Sequence, residues 1–350
     1  MRAQAAWLLL VAGCGHAPVG PPATAAPGAH DEAPQAGVVA DRGACFDAAR
    51  SAAQWEQASG GAVIGAERFV AEREAGAWVL DAAPVGSAPP IAGARTADWR
   101  VLTAGASSGV VSVDAEEVSR RVFGGPVAFD APVLVVGAGR PAHGVEAWGE
   151  EGRVALVLRS FGWRRVHLLA TGRVGLPAEA LGRPPGVLPR LDPALGPGAA
   201  GAAARPGIAT LADVERVVAA GGFVLDTRSR EEFDGGTGFG VARGGHLPGA
   251  RWFEWSGVYD ACGGLIPPDQ LARRLPPTIE PPSPGPVDAP LPWVTYCTGG
   301  VRSAMVAYLL RAAGIDARNY EGSMWEWAAD PDRPLEGGAV MEAPPARSRR

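Results

Sequence analysis

The stretch Trp293-Val294-Thr295-Tyr296-Cys297-Thr298-Gly299-Gly300-Val301-Arg302-Ser303 runs from a short apolar segment into a glycine-bearing loop and then into a helical pattern. The first four residues suit a buried parallel strand. Cys297 therefore stands at a strand's carboxyl end, where parallel α/β sheets bind their ligands. Glycines let the loop curl so that successive backbone N–H groups point inward as an anion nest. The helix start adds partial positive charge and Arg302 adds a full one. Such surroundings lower a thiol pKa below its free value of about 8.5 and make a reactive thiolate. The plain alternative is a core cysteine ahead of an ordinary helix. The loop glycines, the arginine within the loop and the strand-loop-helix context together weigh against it.

Working outward, residues 210–220 carry apolar side chains at helical spacing, with Thr210 as N-cap and Asp213 three residues on. Phe223-Val224-Leu225-Asp226 reads as a second buried strand, and Gly245-His246-Leu247-Pro248-Gly249-Ala250 as a turn. Residues 267–275 read as a helix started by prolines. Residues 303–313 read as an amphipathic helix ended by Gly314, and residues 317–320 as a last strand. Strands alternating with helices predict a parallel α/β sheet.

The first half echoes this plan. Trp78-Val79-Leu80-Asp81 matches the strand ending at Asp226, and Ile91-Ala92-Gly93-Ala94 matches Leu247-Pro248-Gly249-Ala250. The run 132–136 matches the strand before Cys297, which puts Gly137 in the thiol's place. Gly137 precedes its helix-ending Gly162 by 25 residues, whereas Cys297 precedes Gly314 by 17, so the first half lacks the thiol and is longer here. The predicted architecture is two α/β domains of one plan, each a parallel sheet flanked by helices, with the first degenerate. The expected boundaries are 42–181 for the first, 182–207 for a Pro/Gly/Ala-rich linker, 208–336 for the second, and 337–350 for a disordered tail.

Composition sets the outer bounds. The chain has 350 residues, enough for about two domains, with 47% hydrophobic residues and a net charge of −5. That charge gives no reason to expect nucleic acid as a partner. All basic residues are arginine, which with the abundant Ala, Gly and Pro fits coding bias. The cysteines are Cys14, Cys45, Cys262 and Cys297. They form no CxxC pair and no Cys/His cluster, so no metal is expected. They are too few for a disulfide scaffold. Whether Cys45 and Cys262 pair is left open.

At the start, Arg2 and the apolar run 5–11 are too short for a membrane-spanning helix, which needs about 20 residues. They lead into Val11-Ala12-Gly13-Cys14, which resembles a bacterial lipobox in which the cysteine is acylated. An ordinary cleaved signal is the alternative. Residues 15–41 are rich in Pro, Ala and Gly and read as a flexible tether. Gly15 in place of Asp points, by analogy with enteric bacteria, to the outer membrane. The expected location is the periplasmic side of the envelope, lipid-anchored.

Four segments in order, Asp226-Thr227-Arg228, the Gly245–Ala250 turn, the Cys297 loop and Glu321-Gly322-Ser323-Met324-Trp325-Glu326-Trp327, resemble the rhodanese family. The first half is similar to the inactive N-terminal domain of tandem rhodaneses. The resemblance implies that Cys297 takes a sulfane sulfur as a persulfide and passes it to cyanide or another thiophile. It implies that the amides of Thr298, Gly299, Gly300, Val301 and Arg302 stabilise that persulfide. Arg302 would hold an anionic donor, no cofactor would be needed, and the partners would be a small sulfur donor and a thiophilic acceptor. Arg228 is a further candidate for substrate contact, although Asp226 and Arg228 read foremost as structural, and His246 as a structural hydrogen-bonding residue. Trp252, Trp255, Trp325 and Trp327 are candidates for the cleft, with core packing as the default.

Three rival functions stand beside this one. Mercaptopyruvate enzymes of the family typically carry a second Arg six residues after the strand-end Asp and a Cys-Gly-Ser-Gly loop. Here those positions hold Glu232 and Cys297-Thr298-Gly299-Gly300, which favours thiosulfate. The phosphatase branch has five residues between Cys and Arg, against four here. A non-enzymatic sulfur carrier or redox sensor would use the same loop.

Overall fold

The computed structural model describes residues 45–84, 86, 91–103, 108–139, 147–184, 186–187, 189, 191, 205–277 and 291–337. The lipobox with Cys14, the tether, most of the linker and all but the first residue of the expected tail lie outside them. No helix among the described residues is long and apolar enough to cross a membrane.

The first half runs α1 (Ala48–Ala58), β1 (Val63–Ile64), α2 (Ala66–Glu74), β2 (Trp78–Asp81), β3 (Arg95–Thr96), α3 (Ala115–Phe123), β4 (Val133–Val136), α4 (Glu150–Ser160), β5 (Val166–Leu169) and α5 (Ala178–Gly182). The second runs β6 (Ile208–Ala209), α6 (Leu211–Ala219), β7 (Val224–Asp226), α7 (Arg230–Phe233), β8 (Arg251–Trp252), α8 (Pro268–Arg274), β9 (Trp293–Tyr296), α9 (Arg302–Ala312), β10 (Ala317–Tyr320) and α10 (Ser323–Trp327). The local signals work as written. Thr210 and Asp213 form a reciprocal capping box at α6, and Pro268 occupies the first turn of α8.

Both sheets have five parallel strands in the same spatial order, β1-β5-β4-β2-β3 and β6-β10-β9-β7-β8. Asp81 pairs with Val136 as Asp226 pairs with Tyr296, so Gly137 and Cys297 follow equivalent central strands. All four residues of β4 are buried, as are the last three of β9, the pattern of strands covered on both faces.

One sequence expectation is corrected here. The helix after the Cys297 loop begins at Arg302, one residue earlier than expected, and it is not amphipathic: apart from Arg311, its residues are buried. The reason is tertiary. Its own sheet covers one face and α4 of the first half covers another. A side chain at Gly152 would place its Cβ 2.4 Å from Met305 Cα, so glycine is what lets α4 and α9 approach so closely. Met305, Val306, Tyr308 and Leu309 share one apolar core with Val154, Leu156 and Leu158. The Tyr308 hydroxyl lies 2.8 Å from the Ala62 carbonyl of the first half.

Helix α1 clamps the halves together from another side. Trp55 Nε1 donates to the Ile266 carbonyl and Ser51 Oγ to the Leu265 carbonyl, each at 2.7 Å. Beside them Cys45 and Cys262 form a disulfide across 217 residues, with Cα atoms 5.4 Å apart. The pairing that the sequence leaves open is thus decided by the packing of the two halves. A cross-link closing so long a loop removes much entropy from the unfolded chain. Cys45→Ser, or reduction of the native protein, is expected to lower unfolding free energy by about 2–5 kcal/mol in urea titrations. An unchanged midpoint would mean that the cross-link does not constrain the unfolded chain.

Candidate active site

Cys297 is the free cysteine among the described residues, and it is 1% exposed. The Gly300 N–H donates to its Sγ at 3.2 Å, and its own N–H donates to Ser323 Oγ at 3.2 Å. The loop can curl this tightly only with glycine at two positions. Gly300 has φ +77°, and a Cβ there would sit 2.6 Å from the Glu321 carbonyl oxygen. A Cβ at Gly299 would sit 2.1 Å from the Trp325 ring. Asn319 Nδ2 donates to the Gly300 carbonyl at 3.0 Å, which pins the curl from β10.

Burial by itself would push the Cys297 thiol up. The Arg302 charge, with hydrogen bonds from Ser303 and the Gly299 N–H, outweighs it and holds the thiol below its ordinary value. The backbone N–H groups of Gly299, Gly300 and Ser303 thus face the sulfur, and the eleven-residue α9 begins at Arg302.

Arg302 is corrected in role. Its Nη1 and Nη2 donate to Glu232 Oε2 and Oε1 at 2.7 and 2.8 Å, and Nη2 also donates to Thr298 Oγ1 at 2.6 Å. This guanidinium is buried and paired, so it acts as a fixed charge beneath the loop and not as an open clamp for a donor. Its partner was not identified from sequence as part of the site. Glu232 ends the Ser229-Arg230-Glu231-Glu232 capping box of α7, where its Oε2 also accepts the Ser229 N–H at 3.1 Å. That pattern is legible in sequence and says that the carboxylate is aimed back along the chain. It does not say that Arg302 waits there.

Arg228 takes the structural role: it is fully buried, donates to both oxygens of Asp226 at 2.6–3.1 Å and to the Gly245 carbonyl at 2.7 Å. The Tyr296 hydroxyl donates to Asp226 Oδ2 at 2.6 Å and accepts from the Leu247 N–H at 3.0 Å. Asp226, Arg228 and Tyr296 therefore tie the strand ends to the Gly245–Ala250 turn. His246 is structural: its Nδ1 lies 2.8 Å from the Phe233 carbonyl and its ring stacks on Phe233.

Of the four tryptophans considered, Trp325 covers the loop. Trp255 and Trp327 are core, and Trp252 Nε1 donates to the Arg228 carbonyl. Two aromatics not anticipated from sequence complete the rim. Phe239, 51% exposed and at φ +57°, lies with its ring centroid 5.4 Å from the Arg302 guanidinium carbon, and Trp148 of the first half lies 5.7 Å from that carbon. Trp325 Nε1 donates to the Phe239 carbonyl at 2.9 Å. Glu150, its carboxyl pushed up to about 7 by burial, accepts the Trp148 N–H at 2.7 Å.

The matching place in the first half is filled. A Cβ at Gly137 would lie 2.0 Å from Glu151 Oε2, and Tyr259 of the second half donates to Glu151 Oε1 at 2.7 Å. A carboxyl group thus stands where the second half has an anion nest. Among the described residues no group of three or more His, Cys, Asp or Glu side chains could hold a metal ion.

A cysteine whose thiol is held below its ordinary pKa stands at a parallel strand's end, in a glycine loop ahead of a helix, in the second of two α/β halves of one plan. The rhodanese-like domain family matches residues 210–330. The chain is 33% identical over 194 residues to the thiosulfate sulfurtransferase of Azotobacter vinelandii, covering 55% of this chain and 67% of that one. It is 31% identical over 116 residues to thiosulfate/3-mercaptopyruvate sulfurtransferase 1, mitochondrial, of Arabidopsis thaliana, covering 32% of this chain but only 28% of that one. The anaerobic ergothioneine biosynthesis enzyme of Chlorobium limicola shares the fold at 17% identity, with TM-score 0.61 over 80% of this chain and 71% of that one. The chain belongs to the rhodanese family, as a tandem whose first domain is degenerate.

The Glu232–Arg302 pair makes a pH prediction. Burial pushes the Glu232 carboxyl up, but the Arg302 charge and hydrogen bonds overcome this and hold it at about 2, against an ordinary 4.5. A carboxyl depressed on folding stabilises the protein above the higher value, and that contribution drains as pH falls toward the lower one. Urea unfolding at stepped pH should show the parent losing stability between about pH 4.5 and 2. Glu232→Gln should be about 3–5 kcal/mol weaker at pH 7, because Arg302 is left buried and unpaired, with the gap closing in acid. Parallel pH profiles would count against the pair.

Proposed function

We propose that this protein is a thiosulfate sulfurtransferase acting through a Cys297 persulfide. The observation that carries the proposal is the Cys297 thiol, held below its ordinary pKa inside a nest of backbone donors. The thiolate attacks the outer sulfur of thiosulfate. A new S–S bond forms, the old one breaks, and sulfite leaves with its electron pair. The terminal sulfur of the persulfide carries negative charge, and the Gly300 N–H together with the α9 N-terminus is placed to stabilise it. Cyanide or another thiophile then attacks that sulfur, thiocyanate or its counterpart departs, and the Cys297 thiolate returns. No oxidant or reductant is consumed.

Glu232 supports thiosulfate over mercaptopyruvate. It stands six residues after Asp226, and its carboxylate lies against Thr298 Oγ1 at 2.9 Å, so this position presents a negative charge to a donor's carboxylate and not a cation. The same carboxylate, together with a loop of four residues between Cys297 and Arg302, argues against a phosphate ester.

The test is thiocyanate formation from thiosulfate and cyanide by the parent and by Cys297→Ser. The parent should turn over, the variant should fall to the uncatalysed rate, and mercaptopyruvate should be the poorer donor. A folded parent inactive with both donors would point instead to a non-enzymatic sulfur carrier.

We further propose that the chain is anchored at the periplasmic side of the envelope, at the outer membrane, by a lipid on Cys14. The Cys45–Cys262 disulfide supports an oxidising compartment. Radiolabelled palmitate should enter the parent and not Cys14→Ser, and labelling of both would reject the assignment.

A further inference from the structure

Around Cys297 the charges of the second half cancel. Arg302 is matched by Glu232, and Arg228 by Asp226. Across the interface they do not. Glu321, buried just after β10, meets two guanidiniums at 3.0 Å, Arg153 of α4 and Arg205 from the segment before β6. Two cations share one carboxylate, which leaves one positive charge in excess. Arg153 is the deeper of the two, fully buried, with its Nε lacking any hydrogen-bond partner among the described residues and its Nη1 off the line of a hydrogen bond to Glu321.

This cluster is built onto the active loop. Arg153 Nη2 donates to the Gly109 carbonyl, and the Val111 N–H donates to Glu321 Oε2 at 3.2 Å. Gly109 lies so close that a Cβ there would be 2.1 Å from the Gly299 carbonyl oxygen and 2.2 Å from that of Glu321. Two residues beyond Glu321, Ser323 accepts the Cys297 N–H. The degenerate half thus reaches the curl around the thiol through a glycine and an arginine.

We propose that Arg153 is a positioning residue contributed by the degenerate domain, whose buried and incompletely neutralised charge keeps Cys297 as a thiolate and stabilises the persulfide made from it. The inference deepens the proposed reaction and rests on Cys297 being its nucleophile. Burial disfavours the Arg153 charge, Glu321 favours it, Arg205 opposes it and the Cys297 thiolate favours it, so arginine and thiolate support each other through the low-dielectric interface. On this view the first domain carries no thiol at Gly137 but adds its charge to that of Arg302 in the second.

The experiment titrates the thiolate in the full chain on a Cys14→Ser background. Absorbance near 240 nm, less that of Cys297→Ser, and the alkylation rate against pH give the midpoint. Arg153→Gln should raise the midpoint by about one pH unit, slowing alkylation about tenfold below it. Arg153→Lys should restore most of the difference. Glu321→Gln removes the neutralising carboxylate and should lower the midpoint, an opposite shift that mere disruption of the interface would not produce. Should Arg153→Gln not fold, Arg205→Gln, on the more exposed cation, should still raise the midpoint by a smaller step. A midpoint unmoved by Arg153→Gln, or by Arg205→Gln in its place, or raised by Glu321→Gln, overturns the proposal. Turnover is not the readout, so a chain that titrates as expected without forming thiocyanate would sink the proposed reaction and leave this coupling standing.

Discussion

Helix α9 starts at the Cys297 loop and is buried on nearly every side, because α4 of the other half lies against it at the Gly152–Met305 crossing. The rest of the site hangs on that contact. The close approach places Arg153 beside Glu321 and Trp148 beside Arg302, and it lets Gly109 meet the backbone of Gly299. A single rhodanese-like half would leave α9 with an apolar face in water and the nest with one wall missing. The first half has Gly137 and Glu151 where the second has its nest, and its packing against α9 is what it contributes to the site.

The electrostatics follow a similar division of labour. Ion pairs within the second half are closely matched and hydrogen-bonded, the condition under which buried charge is tolerated. They set shape: Asp226 and Arg228 hold the turn, and Glu232 and Arg302 hold the floor of the loop. Field at the sulfur comes first from the Arg302 charge, with oriented amides and the start of α9, and the unequal cluster at Glu321 lies just behind the loop. A cation favours the change of a thiol into an anion, and one left incompletely neutralised adds to what Arg302 already supplies.

Much of this was legible in the sequence, because the signals are local. Strand ends, caps and loop glycines depend on neighbours a few residues away, so the two-domain plan, the place of Cys297 and the absence of a thiol at Gly137 are legible directly. Glu232 shows why the reading stopped where it did. Its capping box with Ser229 is a local pattern, but its partner is seventy residues away. The chain does not spell out a meeting that depends on the β7–β9 register. For the same reason the sequence offers Arg302 and Arg228 for substrate contact: an arginine in a motif looks free until its counterion is seen.

The sequence by itself determined the parallel α/β architecture, its repetition in two halves and the place of Cys297 at a strand end, since each follows from periodicity, turn chemistry and strand-end position. Only the tertiary structure decided that Cys45 bonds Cys262, that α9 has no wet face, that Trp148 and Phe239 frame the mouth, and that Arg153 and Arg205 converge on Glu321. The Cys45–Cys262, Trp148–Phe239 and Arg153–Glu321 contacts join residues about 90 to 217 positions apart across the two halves. Contacts of that kind are selected by how two packed surfaces fit, which no window of neighbouring residues encodes.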